Sequence, residues 1–453
     1  MTFDVIVIGS GPGGYRAAVL GALRGMKVAI VEKGLWGGCC LNRGCVPKKT
    51  WYASALQVKA SMDAAERGLY GTLEGDLNQA WQYQHRMVAR IRESYLDYLR
   101  RLGIALHEGH ARLCAPHRVQ VGEASLEGKH IILATGAKPF VPPFIPLGDR
   151  VLTTDGLFEA PPPPGKAVAL LGGGAVAVEF AFIFTLLGKE VTWLSRSPML
   201  GRSPLSAPAL KALADSLDQH GIRLKIADIR SVVPEDGGVR IELEKETVAV
   251  DWLCLALGRR PYTQDLGLEA AGIGKDERGF VQRNAALQTA LPHIYAIGDC
   301  ASPYMTANQA LDDARIAIDH ILTGKGEKDP LWVPTVLYSA VEIARIGLNE
   351  DQAEERGHEP AVGFAAFETS PCARAQGDTA GFVRLIADMD TAAFLGGEIV
   401  GREAGELIHL LSLPAGKETL QQLVRGRFNH PARAEELQNA TETLASRWGL
   451  PVF

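Results

Sequence analysis

An α/β protein with two doubly wound units and a separate α+β segment at its C-terminal end is the architecture this sequence predicts. Three observations predict it. Residues 3–32 read as strand, Gly-rich turn, helix and strand. The same order returns after residue 166, as a weak internal repeat. The stretch from 331 onward carries no such glycine fingerprint and reads as mixed helices and strands. The chain has 453 residues, of which 47% are hydrophobic and 22% charged, so it can bury a core and is not expected to be disordered.

In order along the chain, the pattern predicts a strand over 3–8, a turn over 9–14, a helix over 15–24 and a strand over 27–32. A long amphipathic helix follows over 78–102, with Trp81, Val88, Ile91, Tyr95 and Tyr98 at helical spacing and Gly103 to end it. A strand over 131–133 leads into Ala134-Thr135-Gly136. Pro161 to Pro164 form a stiff connector. The repeat then gives a strand over 167–171, a turn over 172–174, a helix over 176–187 and a strand over 191–194. A strand over 294–297 ends on Gly298-Asp299. A Gly-, Pro- and charge-rich break covers 324–334, and helices are expected near 403–411, 418–425 and 434–448. The domain boundaries expected are 1–145 with 263–330 for one unit in two parts, 146–262 for the second, and 331–453 for the last.

Several function classes are excluded on composition. A net charge of −5 without a basic stretch leaves no footprint for nucleic acid. Seven cysteines in so long a chain are not a disulfide scaffold. Residues 167–188 are long and apolar, but Gly172-Gly173-Gly174 interrupts them and Glu179 would stand unpaired in lipid, so no membrane span is expected. Met1-Thr2-Phe3-Asp4 runs straight into a strand without a charged region and cleavage site, so a cytoplasmic setting is expected. A disulfide there would be catalytic rather than structural.

Gly9-Ser10-Gly11-Pro12-Gly13-Gly14 matches G-x-G-x-x-G between a strand and a helix, with Glu32 ending the next strand. This is a Rossmann-like dinucleotide fingerprint: Gly9, Gly11 and Gly14 admit a pyrophosphate to the helix N-terminus, and Glu32 would accept from ribose hydroxyls. The second copy is Gly172-Gly173-Gly174-Ala175-Val176-Ala177. Glu32 lies 21 residues after Gly11, whereas 21 residues after Gly174 stands Ser195, followed by Arg196 and then Arg202. An acid would select NAD; a serine with two arginines favours the 2′-phosphate of NADP(H) over NAD(H).

The chemistry is expected at Gly37-Gly38-Cys39-Cys40-Leu41-Asn42-Arg43-Gly44-Cys45-Val46-Pro47-Lys48-Lys49. A helix beginning here would favour the thiolate, and two close thiols allow one sulfur to attack a disulfide while the other resolves the mixed product. A closed metal site needs four ligands and no second close Cys or His pair stands nearby, so no metal is expected.

This segment resembles the active-site signature of the FAD-dependent pyridine nucleotide–disulfide oxidoreductases, the group of dihydrolipoamide dehydrogenase and glutathione reductase, and the resemblance covers essentially the whole chain. It implies FAD at the first glycine site, the nicotinamide at the second and a C-terminal dimerisation domain. It implies that Cys40 is the interchange thiol and that Cys45 faces the flavin. By the same resemblance Lys49 and Glu179 form an ion pair beside the flavin, and Thr135, Gly136 and Asp299 complete the FAD contacts. His430-Pro431 with Glu435 resembles the family's His-Pro-x-x-x-Glu base, serving the cysteine pair of the other subunit, so a homodimer is implied. A histidine can take the proton of an attacking thiol, and the acid orients its ring.

The chain departs from the family's pattern in places. Cys39 stands where threonine is usual, and Val341, in Tyr338-Ser339-Ala340-Val341-Glu342, where proline is usual; Phe428-Asn429 precedes His430. Leu41-Asn42-Arg43-Gly44 and residues 375–405 resemble dihydrolipoamide dehydrogenase. Val46-Pro47-Lys48-Lys49 and Arg196 with Arg202 resemble glutathione reductase. Tyr95 and Arg315 match residues lining the glutathione site, but Val19 stands where that enzyme has an arginine. The leading expectation is a dihydrolipoamide dehydrogenase-like enzyme acting on a lipoyl group of a carrier protein. The alternative is NADPH-dependent reduction of a small disulfide such as glutathione disulfide. A transhydrogenase or oxidase would have little use for Cys45 and His430. Mercuric reduction is disfavoured because residues 448–453 lack a cysteine pair. A non-catalytic subunit of a lipoyl-carrier assembly would bind FAD yet turn over no thiol.

Overall fold

The computed structural model describes residues 2–62, 64–326, 330–413 and 419–448. Residue 418, at the start of one expected helix, part of the expected break at 324–334, and the C-terminal residues 449–453 lie outside the described residues. The chain divides into two compact units. One comprises Met1–Ala177, Ile183–Pro198 and Leu224–Lys328, the other Val178–Phe182, Met199–Arg223 and Asp329–Phe453.

The first unit opens with β1 (Thr2–Ile8), α1 (Pro12–Leu23) and β2 (Val28–Glu32). β1 pairs in parallel with β2 and with Ala124–Leu133. Ala105–Glu108 extends the sheet beyond β2, and Ile294–Ala296 adds beside Ala124–Leu133, both in parallel. A parallel sheet is covered on both faces, so its strands are apolar on both sides. In β1, Ile6 and Ile8 pack with Leu126, Ile131 and Leu268 on one face. Val5 and Val7 pack with Ala17, Ala18 and Ile316 on the other.

α1 begins three residues earlier than the pattern predicts, because Pro12 occupies its first position, where a missing N–H costs nothing. Ala124–Leu133 is longer than the predicted 131–133. Its first half turns back into an antiparallel meander with Arg118–Val121 and Ala111–Ala115. Glu127, Lys129 and His130 interrupt its apolar run, which hid the strand from a reading based on continuous hydrophobicity.

The redox segment forms α2 (Gly38–Arg43) and α3 (Cys45–Met62), separated by Gly44. α4 (Leu77–Arg101) is capped by Asp76, whose side chain accepts from Asn78 N at 2.8 Å and Gln79 N at 3.0 Å. A second parallel sheet has the order Leu224–Ile226, Glu190–Ser195, Ala167–Leu171, Trp252–Leu255 and Val151–Thr153. The antiparallel strands Ile229–Glu235, Gly238–Leu243 and Thr247–Val250 bring Val232, Val239 and Ile241 to the same apolar cluster.

The second unit carries a five-stranded antiparallel sheet, ordered Thr335–Tyr338, Glu342–Gly347, Phe394–Val400, Phe382–Asp388 and Pro360–Ala366. The helix Glu435–Ala445 lies on it through Leu437, Ala440 and Leu444. The helix expected over 403–411 is two short ones, Ala404–Leu407 and His409–Ser412. That expected over 434–448 ends at Ala445 and tightens into a 3-10 turn over Ser446–Trp448. Among the described residues, no helix is long and apolar enough to cross a membrane.

Candidate active site

The glycine loop between β1 and α1 is tight on its inner side and open on its outer side. A Cβ on Gly9 (φ +104°) would stand 2.3 Å from Ala134 O, and one on Gly14 would stand 1.9 Å from Gly9 O. A Cβ on Gly11 would meet nothing within 4 Å. Gly11 caps α1 without a side-chain hydrogen bond, so the helix start offers its own N–H groups to an anion. Glu32 does more than the sequence foresees. One of its oxygens accepts from Ser10 N at 2.9 Å and Ser10 Oγ at 2.7 Å, and the other accepts from Gly34 N at 2.9 Å.

Ser10 then joins this loop to the redox segment. Its hydroxyl accepts from Gly37 N at 2.9 Å. Gly38 lies so close that a Cβ there would meet Gly11 Cα at 2.6 Å. Asn42, which is buried, donates to Trp36 O at 3.0 Å and Gly38 O at 2.8 Å, and accepts from Arg92 at 2.8 Å. The glycine loop and the segment that carries the cysteine pair are thus one stitched object. Ser10 and Asn42 were legible only as variable positions of motifs, and their roles need the three-dimensional arrangement.

Cys40 lies within α2, and Cys45 is the first residue of the 18-residue α3, where the helix dipole favours an anionic sulfur. Cys40 is half-buried and Cys45 exposed. A hydrogen bond between the two thiols, together with burial, holds the Cys40 thiol far above the ordinary thiol range. Burial pushes the Cys39 thiol up to about 12, with Arg259 opposing and Asp155 reinforcing the shift. Cys39 is therefore protonated near neutrality.

Arg259 donates to Asp155 at 2.6 Å and to Ala137 O at 2.6 Å. It also opposes the rise that burial imposes on Asp299. Asp299 sits in the turn Gly298–Cys300, whose Gly298 N donates to the fully buried Asp313 at 3.0 Å. Thr135 Oγ1 donates to Tyr262 O at 2.6 Å, next to Gly136 (φ +71°). Lys49 lies on α3 with its ammonium 5.4 Å from the Tyr52 ring centre. Glu179 is buried on the helix Ala175–Leu186 and accepts from Tyr338 N at 2.9 Å, while Ser339 Oγ donates to Val178 O. Val341 is buried in the same turn.

Near Cys40, Tyr95 of α4 stacks on Tyr15 of α1 with ring centres 4.4 Å apart. Val19 is buried in the core, and Arg315 is held by Asp312 at 2.8 Å and Asp319 at 3.3 Å.

The second glycine loop repeats the plan of the first. Gly174 caps its helix without a side-chain bond and has open space at its Cβ position. A Cβ on Gly172 (φ +142°) would meet Ala256 O at 2.3 Å. Ser195 Oγ would lie 2.7 Å from a Cβ on Gly173, as Glu32 meets Ser10 in the first copy. Arg196 and Arg202 are exposed and have no ion-pair partner among the described residues.

In the second unit, His430 Nδ1 lies 2.9 Å from Glu435 Oε1, and Ala432 N donates to Glu435 Oε2 at 2.7 Å. The Ala432 N–H and then His430 hold the Glu435 carboxyl below its usual range. The His430 side chain is 71% exposed, so its free nitrogen faces outward.

The family model for pyridine nucleotide-disulphide oxidoreductases matches residues 3–314, and the model for that family's dimerisation domain matches residues 333–441. The chain belongs to this family. Among the pyridine nucleotide-disulphide oxidoreductases, a dihydrolipoyl dehydrogenase of Thermus scotoductus is 34% identical, over 98% of this chain and 97% of its own. One of Chlamydia muridarum is 32% identical over 96% and 95%. The HOCl-induced flavoprotein disulfide reductase RclA of Escherichia coli, solved as a Cu(II) complex, superposes with a TM-score of 0.85 at 29% identity over 98% and 99%. LpdA of Mycobacterium tuberculosis does so with a TM-score of 0.90 at 25% identity over 97% and 99%. The chain is accordingly an FAD-dependent NAD(P)H–disulfide oxidoreductase. The open face at Gly11 and the uncapped start of α1 fit a pyrophosphate, so this family's FAD suits the residues present.

Proposed function

We propose that this oxidoreductase exchanges electrons between NADP(H) and a lipoyl group, in the manner of dihydrolipoyl dehydrogenase. One observation carries the reading: the first glycine loop touches the segment that carries the cysteine pair, through Ser10–Gly37 and Gly38–Gly11. FAD, when bound, supplies two-electron chemistry between the nicotinamide and the thiols. Gly9, Gly11, Gly14, Glu32, Thr135, Gly136 and Asp299 would hold it, with Lys49 and Glu179 as an ion pair at the flavin. Gly172, Gly174, Ser195, Arg196 and Arg202 would hold the nicotinamide nucleotide.

Cys40 does the exchange with substrate. His430 takes the proton of the Cys40 thiol as its sulfur attacks one sulfur of the external disulfide, breaking that S–S bond and forming a mixed disulfide. The departing sulfur takes a proton from the His430 imidazolium, which Glu435 steadies. Cys45 then attacks Cys40, closing the Cys40–Cys45 disulfide and releasing the second thiol. Running backward, the same steps oxidise a dihydrolipoyl group, with His430 accepting the protons. The exposed His430 suits a base that serves the cysteine pair of a partner subunit in a homodimer, and the setting we propose is the cytoplasm. The domain plan we propose is 1–145 with 263–330 for FAD, 146–262 for the nicotinamide nucleotide and 331–453 for the dimer interface.

The test is a substrate panel of lipoamide, dihydrolipoamide and glutathione disulfide, each with NADP(H) and NAD(H). The lipoyl pair with NADP(H) should give the highest kcat/KM. Faster turnover of glutathione disulfide would replace the lipoyl reading, and equal or better turnover with NAD(H) would remove the NADP preference. Cys40→Ser should retain flavin reduction by the nicotinamide but lose disulfide exchange. Cys45→Ser should lose the long-wavelength absorbance that reduction produces.

A further inference from the structure

Three residues past His430 and two before Glu435 stands Arg433, a cation that is 2% exposed. Such a group is costly to bury unless its donors are satisfied, so its placement calls for an account. Its Nε donates to Gln376 Oε1 at 2.8 Å and one terminal nitrogen donates to Asp378 O at 2.5 Å. The guanidinium lies 5.0 Å from the ring centre of Phe367, which is itself fully buried. The other terminal nitrogen has no hydrogen-bond partner among the described residues. Burial weighs most on its charge, and Asp378, Glu403, Arg402 and Cys372 act on it after that.

Gln376 ends the helix Pro371–Gln376, and Asp378 N is tied back to Ala373 O at 3.0 Å, so the acceptors belong to a fixed corner. Arg433 therefore fastens the His430–Glu435 loop to this corner from the inside. Ala432, whose N–H holds Glu435 Oε2, is the adjoining residue. Freeing Arg433 would let Ala432 swing, and Glu435 would lose the contact that aims its other oxygen at His430.

We propose that Arg433 is a positioning residue for the base, setting the orientation of Glu435 and through it the proton affinity of His430. The proposal rests on the reading of His430 as the proton-transfer group in thiol exchange. A planar fork is needed, since one side chain must reach a side-chain amide and a main-chain carbonyl at once. Lysine, a point donor, cannot reproduce it.

The experiment uses the FAD-loaded protein with dihydrolipoamide as the probe, and compares Arg433→Met, Arg433→Lys, Gln376→Ala and His430→Gln. It measures kcat against pH, flavin reduction by the nicotinamide, and the titration of His430 by NMR. For Arg433→Met, flavin reduction should be unchanged and kcat should fall on the order of 10- to 100-fold with little change in KM. The acid limb of the pH profile and the His430 titration should both move to lower pH, because a loosened Glu435 stabilises the imidazolium less. Arg433→Lys should restore little, and Gln376→Ala should move both in the same direction by less. A purely structural arginine would lower stability and leave the titration in place, and that result overturns the proposal. If Arg433→Met does not fold, Gln376→Ala decides: an unmoved titration overturns the proposal. If His430→Gln keeps full turnover, the base reading falls and this proposal falls with it. If His430→Gln is inactive while Arg433→Met matches the parent, only the positioning role is lost.

Discussion

At the scale of single residues, chemistry is divided by environment more than by residue type. Three cysteines lie within seven positions, yet burial pushes Cys39 up to about 12 while α3 begins at Cys45. Cys39→Ser should therefore change dihydrolipoamide turnover by less than roughly 2-fold, and alkylation near neutral pH should spare Cys39; rapid modification of Cys39 in a mass-spectrometric time course would contradict this. At the proposed nicotinamide site, Arg196→Ala should lower the NADPH/NADH ratio of kcat/KM by about 10-fold, the loss of one charge-assisted phosphate contact. An unchanged ratio would mean that the 2′-phosphate is held elsewhere. These residues stood out because type and spacing alone suggest a chemistry for them: Cys40 with Cys45, and Ser195 in place of an acid. Arg433 was not, because an arginine between two alanines reads as surface until the fold buries it.

At the scale of elements, close approach of backbones decides more than propensity. A Cβ on Gly363 would stand 2.2 Å from Ala440 O, where the strand Pro360–Ala366 meets the helix Glu435–Ala445. Gly363→Ala should destabilise the second unit by about 1–3 kcal/mol and lower thiol exchange, because that helix begins with Glu435. Thermal denaturation and turnover of the same preparation check both parts. The turn after Phe382–Asp388 sets an acid limit. Thr391 donates to Asp388 through its hydroxyl at 2.7 Å and its N–H at 2.8 Å, and His358 sits 2.9 Å from the second oxygen. Thr391 first and His358 after it hold the Asp388 carboxyl down to about 2, from an ordinary 3.8. A depressed carboxyl contributes stability that is complete above its unfolded value and is lost as pH falls through its folded one. Asp388→Asn should flatten the decline of Tm with pH between about 4 and 2, and an unaltered decline would reject the assignment. The repeated strand–turn–helix–strand was legible from periodicity and glycine spacing. The meander of 111–133 was not, since short strands broken by Glu127 and Lys129 carry little periodic signal.

At the scale of the whole molecule, the proposed homodimer makes a sharp demand. If Cys40 of one subunit works with His430 of the other, a hybrid of a Cys40→Ser subunit and a His430→Gln subunit contains one intact centre and one doubly damaged centre. Such hybrids, formed from two inactive parents, should recover about half the wild-type turnover per dimer. A centre built within one chain would leave both halves of every hybrid damaged and the mixture inactive. The change of character after residue 330 was legible in the chain's punctuation. The depth to which Ser10 and Asn42 stitch one part together was not, because it depends on partners that lie 22, 27 and 50 positions away.

The glycine loop near the N-terminus has one more consequence, for synthesis. Its walls are far apart in the chain: Ala134 closes on Gly9, while a Cβ on Gly13 would meet the Ile297 side chain at 3.3 Å and Ala310 O at 3.1 Å. A ribosome releases the cysteine pair and the loop early and these walls only much later. With FAD in this loop, as proposed, refolded fragments ending before residue 297 should stay colourless in the presence of FAD, whereas those extending past 323 should turn yellow. On that reading pigmentation comes only after these walls are made.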